Sequence, residues 1–130
     1  MSQVVNIKVQ ELRKQGYKDF NEWNSLPENV YIGRANRFLK VSASKYANPF
    51  LLKDYDRKTV LKLYEDYLRK SPWLIKSIKE LDKKNLGCFC FPLPCHGDIL
   101  IKILKELVSK NIFKLYLLSA LSSNFSREKT

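Results

Sequence analysis

All three cysteines and the single histidine of this 130-residue chain fall within nine positions, in Gly87-Cys88-Phe89-Cys90-Phe91-Pro92-Leu93-Pro94-Cys95-His96-Gly97-Asp98. Cys88 and Cys90 stand at i and i+2, so on a strand their thiols share one face while Phe89 and Phe91 take the other. A Pro-x-Pro turn then brings Cys95 and His96 to the start of a helix. Two chemistries suit these residue types. Cys88, Cys90, Cys95 and His96 form a Cys3His set of the kind that holds tetrahedral zinc, at about 2.3 Å to sulfur. The Cys-x-Cys-x4-Cys-His spacing is not the usual pair of Cys-x2-Cys knuckles, however, and adjacent ligands at 95 and 96 demand awkward side-chain directions. Alternatively, Cys95 is a reactive thiolate, its pKa lowered by a helix N-terminus. His96 then serves as acid or base and Asp98 orients it, which makes Cys95, His96 and Asp98 the catalytic candidates.

Known motifs narrow the second option. A phosphatase-type loop places arginine six positions after the cysteine, and Ile101 stands there. The zinc deaminase signature of His-x-Glu with Pro-Cys-x-x-Cys is absent too. A third reading needs no chemistry at all: free cysteines fill cores as small hydrophobes, and His96 and Asp98 cap the following helix.

A second constellation is basic. From Asn29 to Lys53 there is no acid, while Arg34, Arg37, Lys40, Lys45 and Lys53 supply five cations interleaved with Tyr31, Phe38, Tyr46 and Phe50. Arginine at a strand end suits phosphate, and aromatics in a basic loop suit stacking on bases. Solvated lysines around an aromatic loop anchor explain the same composition.

The elements that must position these residues follow from periodicity. Val4 to Val9 alternates as a half-buried strand. A short helix is expected around Tyr17 to Trp23, and a second strand over Asn29-Val30-Tyr31-Ile32-Gly33. Residues 34 to 53 have no period and form a long loop with an Asn48-Pro49 turn. Asp56 caps a helix running to Arg69, and Ser71-Pro72 starts another. A third strand over Leu86 to Phe91 leads into the Cys/His turn. The helix that follows carries Ile99, Leu100, Ile103, Leu104, Leu107 and Val108 on one stripe. Asn111 is expected to break it, with a last helix over Ile112 to Leu121. Strands alternating with helices predict an α/β fold, a small three-layer domain with a short, mostly parallel sheet flanked by helices. One domain over 1–121 is expected, with a flexible tail over 122–130. In such sheets ligands collect where strands end and helices begin. Gly33-Arg34 and Cys90-Phe91 both fall at such ends, so a composite site is expected from Gly33, Arg34, Asn48 and Gly97 with the Cys/His turn.

Charge bounds the partners. Twenty-four Lys and Arg against thirteen Asp and Glu leave +11, which favours nucleic acid or another acidic partner such as an acidic protein. The N-terminus lacks the blocks of a signal peptide, and three cysteines cannot all pair within the chain, so a reducing, intracellular setting is expected. No apolar run approaches the ~20 residues needed to span a bilayer. Membrane-surface contact through the 112–121 helix is a weaker alternative to nucleic acid.

In order along the chain, Val30-Tyr31-Ile32-Gly33-Arg34, Ala47-Asn48-Pro49-Phe50, Arg57 with Tyr64 and Leu68, and Cys88-Phe89-Cys90-x-Pro-x-x-Cys95-His96-Gly97-Asp98-x-Leu100 form a set. Over about residues 28 to 108 this set resembles a small α/β family of phage, bacterial and large-DNA-virus proteins known only as a domain of unknown function. Phe89 stands where that family often has tryptophan, and the stretch between Arg34 and Asn48 carries extra basic residues. The resemblance implies one α/β core joining the three motifs, and a viral source with host cytoplasm or nucleus as its setting. It implies no reaction.

Two expectations therefore stand side by side. The first is a non-enzymatic basic domain with a zinc-binding or pocket-shaping Cys/His cluster that engages a polyanion. The second is an enzyme or sensor for a nucleotide-like ligand, using Arg34, Asn48, Cys95 and His96.

Overall fold

The computed structural model describes residues 1–128, except for the side chains of residues 112, 113, 116 and 122–128. Its elements are β1 (Gln3–Asn6), α1 (Val9–Lys14), α2 (Phe20–Asn24), β2 (Asn29–Tyr31), α3 (Arg57–Arg69), α4 (Pro72–Ile78), a 3-10 turn (Lys79–Leu81), β3 (Asn85–Cys88) and α5 (His96–Glu128). The three strands form a parallel sheet in the order β1-β3-β2, which bears out the expected α/β class. From β1 to β2 the chain crosses the sheet one way, and from β2 to β3 it returns. Crossovers of one hand running in opposite directions put their helices on opposite faces.

The side chains show those two faces. Val4, Val30, Leu86 and Cys88 pack with Tyr64, Leu68, Leu74, Ile78, Leu100 and Ile103 of α3, α4 and α5. Val5, Tyr31 and Phe89 pack with Leu12, Phe20 and Trp23 of α1 and α2. The sheet is thus covered on both sides, as parallel sheets generally are. Its register is held at one end by a row of amides. Gln3 donates to Asn85 (2.9 Å), Asn85 donates to Asn29 (2.8 Å), and the buried Asn29 donates to the Trp23 carbonyl (2.9 Å). A one-residue slip of any strand would break the row and turn every apolar side chain to the wrong face.

Several boundaries differ from expectation. The first strand ends at Asn6 rather than Val9, and β3 at Cys88 rather than Phe91. The Asn6 side chain stands at both ends: its Oδ1 accepts the Lys8 N–H (2.9 Å) and its amide nitrogen donates to the Phe91 carbonyl (2.6 Å). Val9 then opens α1, a helix too short to show a period, with only Leu12 buried. α3 has the expected bounds, and Asp56 caps it by accepting the Thr59 N–H at 2.7 Å. Ser71 does not cap α4; its hydroxyl donates to the Tyr67 carbonyl of the preceding helix.

The expected break at Asn111 is absent, since α5 runs on to Glu128. Asparagine costs a helix only ~0.7 kcal/mol relative to alanine, and neither Gly nor Pro follows it. Of the tail expected over 122–130, residues 122–128 lie in helical backbone, and 129 and 130 fall outside the described residues. The C-terminal part of the 112–121 stretch shows exposed Leu115, Leu117, Leu118 and Leu121. No helix among the described residues is long and apolar enough to cross a membrane.

Candidate functional site

The carboxyl ends of β2 and β3 open into a cavity of about 280 Å³. Gly33, Arg34 and Asn36 reach it from the end of β2, Asn48, Phe50 and Leu52 from the long loop, and Arg57, Val60 and Leu61 from α3. Cys88, Phe89, Cys90, Cys95 and His96 close it from the β3–α5 junction. Among the described residues no Asp or Glu lines it.

The loop over 34–53 lacks helices and strands but is bound at many points. Asn36 and Val41 bridge, and the Ser44 N–H donates to the Gly33 carbonyl at 2.9 Å. Tyr46 is buried, its single hydroxyl proton facing both the Ser77 carbonyl (2.9 Å) and the Glu80 carboxylate (2.6 Å), and its carbonyl accepts the Tyr64 hydroxyl at 2.6 Å. Arg34 then fixes the far end: Nε donates to the Asn48 carbonyl (3.0 Å) and a terminal nitrogen to the Phe50 carbonyl (2.8 Å). The buried Asn48 accepts the Phe50 N–H through its own side chain at 2.9 Å. A guanidinium has five N–H donors, so Arg34 keeps three for a ligand. Arg57, at the first position of α3, donates one bond to the Pro94 carbonyl (2.8 Å) and keeps four. Among the described residues neither arginine is in an ion pair.

At the β3–α5 junction, Cys95 is the N-cap of α5. Its sulfur accepts the Gly97 N–H (3.3 Å) where a capping serine would use its hydroxyl, and Asp98 returns by accepting the Cys95 N–H (2.9 Å). The pair resembles a capping box, with a thiol in the hydroxyl's place and accepting from the second helical N–H rather than the third. Asp98 is exposed and outside the cavity, so its carboxylate is bound to backbone rather than to the imidazole. Gly97 lies outside the cavity as well. A Cβ there would meet Val4 at 2.8 Å and Ile32 at 3.0 Å, so this glycine lets the first turn of α5 press on the sheet.

The thiols divide unequally. Cys88 and Cys95 are both buried, with their sulfurs 3.3 Å apart. The sulfur contact with Cys88, helped by the Gly97 N–H, holds Cys95 below the ordinary thiol range against the opposing pull of burial and Asp98. Cys88 is pushed up: Cys90 beside it is the largest single influence and acts downward, but Cys95 and burial outweigh it. Cys90 is pushed up by Cys88 and then by burial, against the neighbouring Arg57.

His96 Nε2 lies 2.7 Å from the Ile32 carbonyl. A carbonyl only accepts, so Nε2 carries the proton of the neutral ring. The Tyr64 ring meets the imidazole edge-on, with centroids 5.3 Å apart. Burial, as the leading cause, lowers the His96 pKa, with Arg34 adding to it. A tetrahedral ion taking the imidazole through Nε2 would have to break the Ile32 bond. Among the described residues no group of three or more His, Cys, Asp or Glu converges as a metal site.

Because this is the only histidine, its titration is directly visible. The ring is expected to titrate below the free value of about 6.5. The sign follows from linkage: between the folded and free pKa values the unfolded chain binds more protons, so stability falls as pH drops through that window. His96→Gln should flatten that limb. A His96 resonance that titrates above 6.5, followed by proton NMR, would contradict the burial argument.

The arrangement therefore joins three motifs that are distant in sequence: Tyr-Ile-Gly-Arg, Asn-Pro-Phe and Cys-His-Gly-Asp. Residues 16–106 match the family model described as Domain of unknown function (DUF4326). The chain belongs to this family. An uncharacterized protein of Acanthamoeba polyphaga mimivirus is 36% identical over 95 residues, covering 63% of this chain and 72% of that protein. The DUF4326 match and the viral relative bear out the resemblance drawn from the motifs. No solved structure matches the chain. Within this DUF4326 domain Gly33, Arg34, Asn48, Cys88, Cys90, Cys95 and His96 share the cavity, while Gly97 and Asp98 support it from beneath. Sequence reasoning did not place Arg57 or Phe89 in the site. Arg57 follows directly on the Asp56 cap, and that position, facing the preceding loop, was the available signal.

Proposed function

We propose that this domain binds a small phosphate-bearing ligand of nucleotide type in the cavity at the ends of β2 and β3. The observation that carries this reading is the meeting of Arg34 and Arg57, from two different elements, in one cavity without an acidic wall. Each guanidinium is held by backbone carbonyls and retains donors in a fixed fork, the geometry that suits phosphate oxygens. Phe50, Leu52, Phe89, Val60 and Leu61 offer an apolar surface for a ring, and Asn36 and Asn48 offer amides. The volume lies near the lower end of ligand pockets, which run from ~300 Å³ upward.

The His96 ring resonance provides the test, with inorganic phosphate, ribose 5-phosphate, adenosine and AMP added in turn. Saturable shifts with AMP, weaker with adenosine and competed by phosphate, are the expected result. Unchanged His96 and arginine side-chain resonances with all four probes at millimolar concentration would overturn the reading.

One observation favours a second, polyanionic partner. Phe38 is 97% exposed at the tip of the Asn36–Val41 turn, between Arg37 and Lys40. An aromatic presented between cations suits the bases of single-stranded nucleic acid. Binding to an oligothymidine should fall steeply with salt and drop about tenfold in Phe38→Ala, in keeping with the loss of one stacked base. Binding that is absent at low salt would remove this reading.

A further inference from the structure

Two of the three thiols are arranged as a reacting pair. Cys88 ends β3 and Cys95 caps α5, and their sulfurs stand 3.3 Å apart with both side chains buried. A disulfide bond is about 2.05 Å long, so closure asks for a movement of little more than an ångström. The Cys90 side chain lies on the same face, packed against the same cluster. Burial does not isolate the pair, because Cys88, Cys90 and Cys95 all line the cavity, which opens to solvent. Arg57 and Arg34 line that opening too, so a small polar oxidant enters a positive, acid-free mouth.

We infer that Cys88 and Cys95 form an oxidisable dithiol that closes to an intramolecular disulfide when a hydroperoxide enters the cavity. Cys95 is the attacking sulfur, since it sits on the first turn of α5 with the Gly97 N–H directed at it. Its thiolate attacks the nearer peroxide oxygen; the O–O bond breaks and, with hydrogen peroxide, the departing hydroxide leaves as water after taking a proton. Cys95 is then a sulfenic acid. The Cys88 sulfur attacks the Cys95 sulfur, the S–O bond breaks, and a second water leaves. Two thiols have lost two electrons and two protons, and the peroxide has become two waters. The product ties the last residue of the central strand to the first cap of α5, the two elements that form the cavity floor. It also removes the charge of the Cys95 thiolate at which the Gly97 N–H is directed, so that contact at the α5 N-terminus weakens. This inference does not depend on which ligand the cavity takes.

The experiment uses the full chain, reduced, freed of small molecules and checked for metal by elemental analysis, then treated with stoichiometric hydrogen peroxide. Thiol titration in denaturant should fall from three to one, intact mass should drop by two hydrogens, and peptide mapping should join Cys88 to Cys95. Cys90→Ser should behave alike, with titration falling from two to none. In Cys88→Ser the Cys95 sulfenic acid should persist and be captured by dimedone. Three thiols that survive peroxide, a bridge that uses Cys90, or disulfides only between chains would each overturn the inference. Stoichiometric zinc that protects all three thiols would overturn it as well, and would restore the metal reading.

Discussion

Gly87→Ala is expected to destabilise the domain by about 3 kcal/mol, the upper end of what overpacking a core by one methyl costs. The sign is not obvious in advance. Glycine in a strand interior is itself unfavourable by roughly 0.5–1 kcal/mol relative to alanine, so replacing it would stabilise an open position. Gly87 is not open. It lies at the centre of the sheet, in register with Val5 on one side and Tyr31 on the other, on the face covered by α2. A Cβ at Gly87 would stand 2.8 Å from the Ile7 methyl and closer still to the Trp23 ring. Trp23 is among the largest fully buried side chains, and it stacks with Phe20, so its indole has no room to retreat. The strand cannot shift either, because Asn85 two residues earlier is tied to both neighbours. Packing therefore outweighs the propensity gain. Urea unfolding of Gly87→Ala, Trp23→Leu and the double variant makes the cause visible. Shrinking the indole should return part of the loss, with a coupling of at least ~1 kcal/mol between the sites. A Gly87→Ala protein as stable as the parent would show that the α2 face is looser than this packing allows.

Much of the site was legible because its signals are local. Asp56 and Pro72 mark helix starts by rules that act within one turn, and α3 has the bounds read from them. The i, i+2 spacing of Cys88 and Cys90 does put both on the α3–α5 face and Phe89 on the other. The junction of strand and helix at Cys95 follows from Pro94 before it and the apolar stripe after it. What periodicity does not carry is which strand lies next to which. The order β1-β3-β2 places the Cys/His strand in the centre, and the amide row Gln3–Asn85–Asn29 ties both neighbours to it at one end.

The other differences have one origin: short polar side chains that choose between backbone and chemistry. Asp98 beside His96 reads as an orienting carboxylate, and the structure spends it on the Cys95 N–H. Asn6 in an alternating run reads as a neutral strand position, yet its side chain stands at the ends of two strands. Ser71 before Pro72 reads as a cap and bonds backwards instead. Each such side chain has backbone donors or acceptors within a few residues that compete with more distant partners, and the tertiary fold decides among them. Arg34 is the counterexample. Its reach to Asn48 and Phe50, 14 and 16 residues on, converts an aperiodic basic loop into a wall.

That wall makes Arg34 the position where substitution should reach furthest into function. Arg34→Ala removes two things at once: the donors offered to phosphate, and the clamp on the Asn48 and Phe50 carbonyls. A charge-assisted hydrogen bond is worth roughly 1.5–3 kcal/mol, or about 10–100-fold in affinity, so AMP binding should fall by at least that much. Arg34→Lys separates the two contributions. Lysine keeps the charge but offers a point donor, unable to hold two carbonyls and a phosphate together. If the clamp matters, Arg34→Lys should bind nearly as poorly as alanine, and the Phe50 N–H, bonded to the Asn48 side chain, should exchange faster in both variants once the Asn48 and Phe50 carbonyls are released. If charge alone matters, lysine should recover most of the affinity with Phe50 exchange still raised. Arg57→Lys is the control from the opposite wall, since that arginine makes one backbone contact and is not the clamp of the loop. Its lysine variant should keep more affinity than Arg34→Lys. Equal losses at the two positions would mean that the cavity reads positive charge and not the fork that Arg34 holds in place.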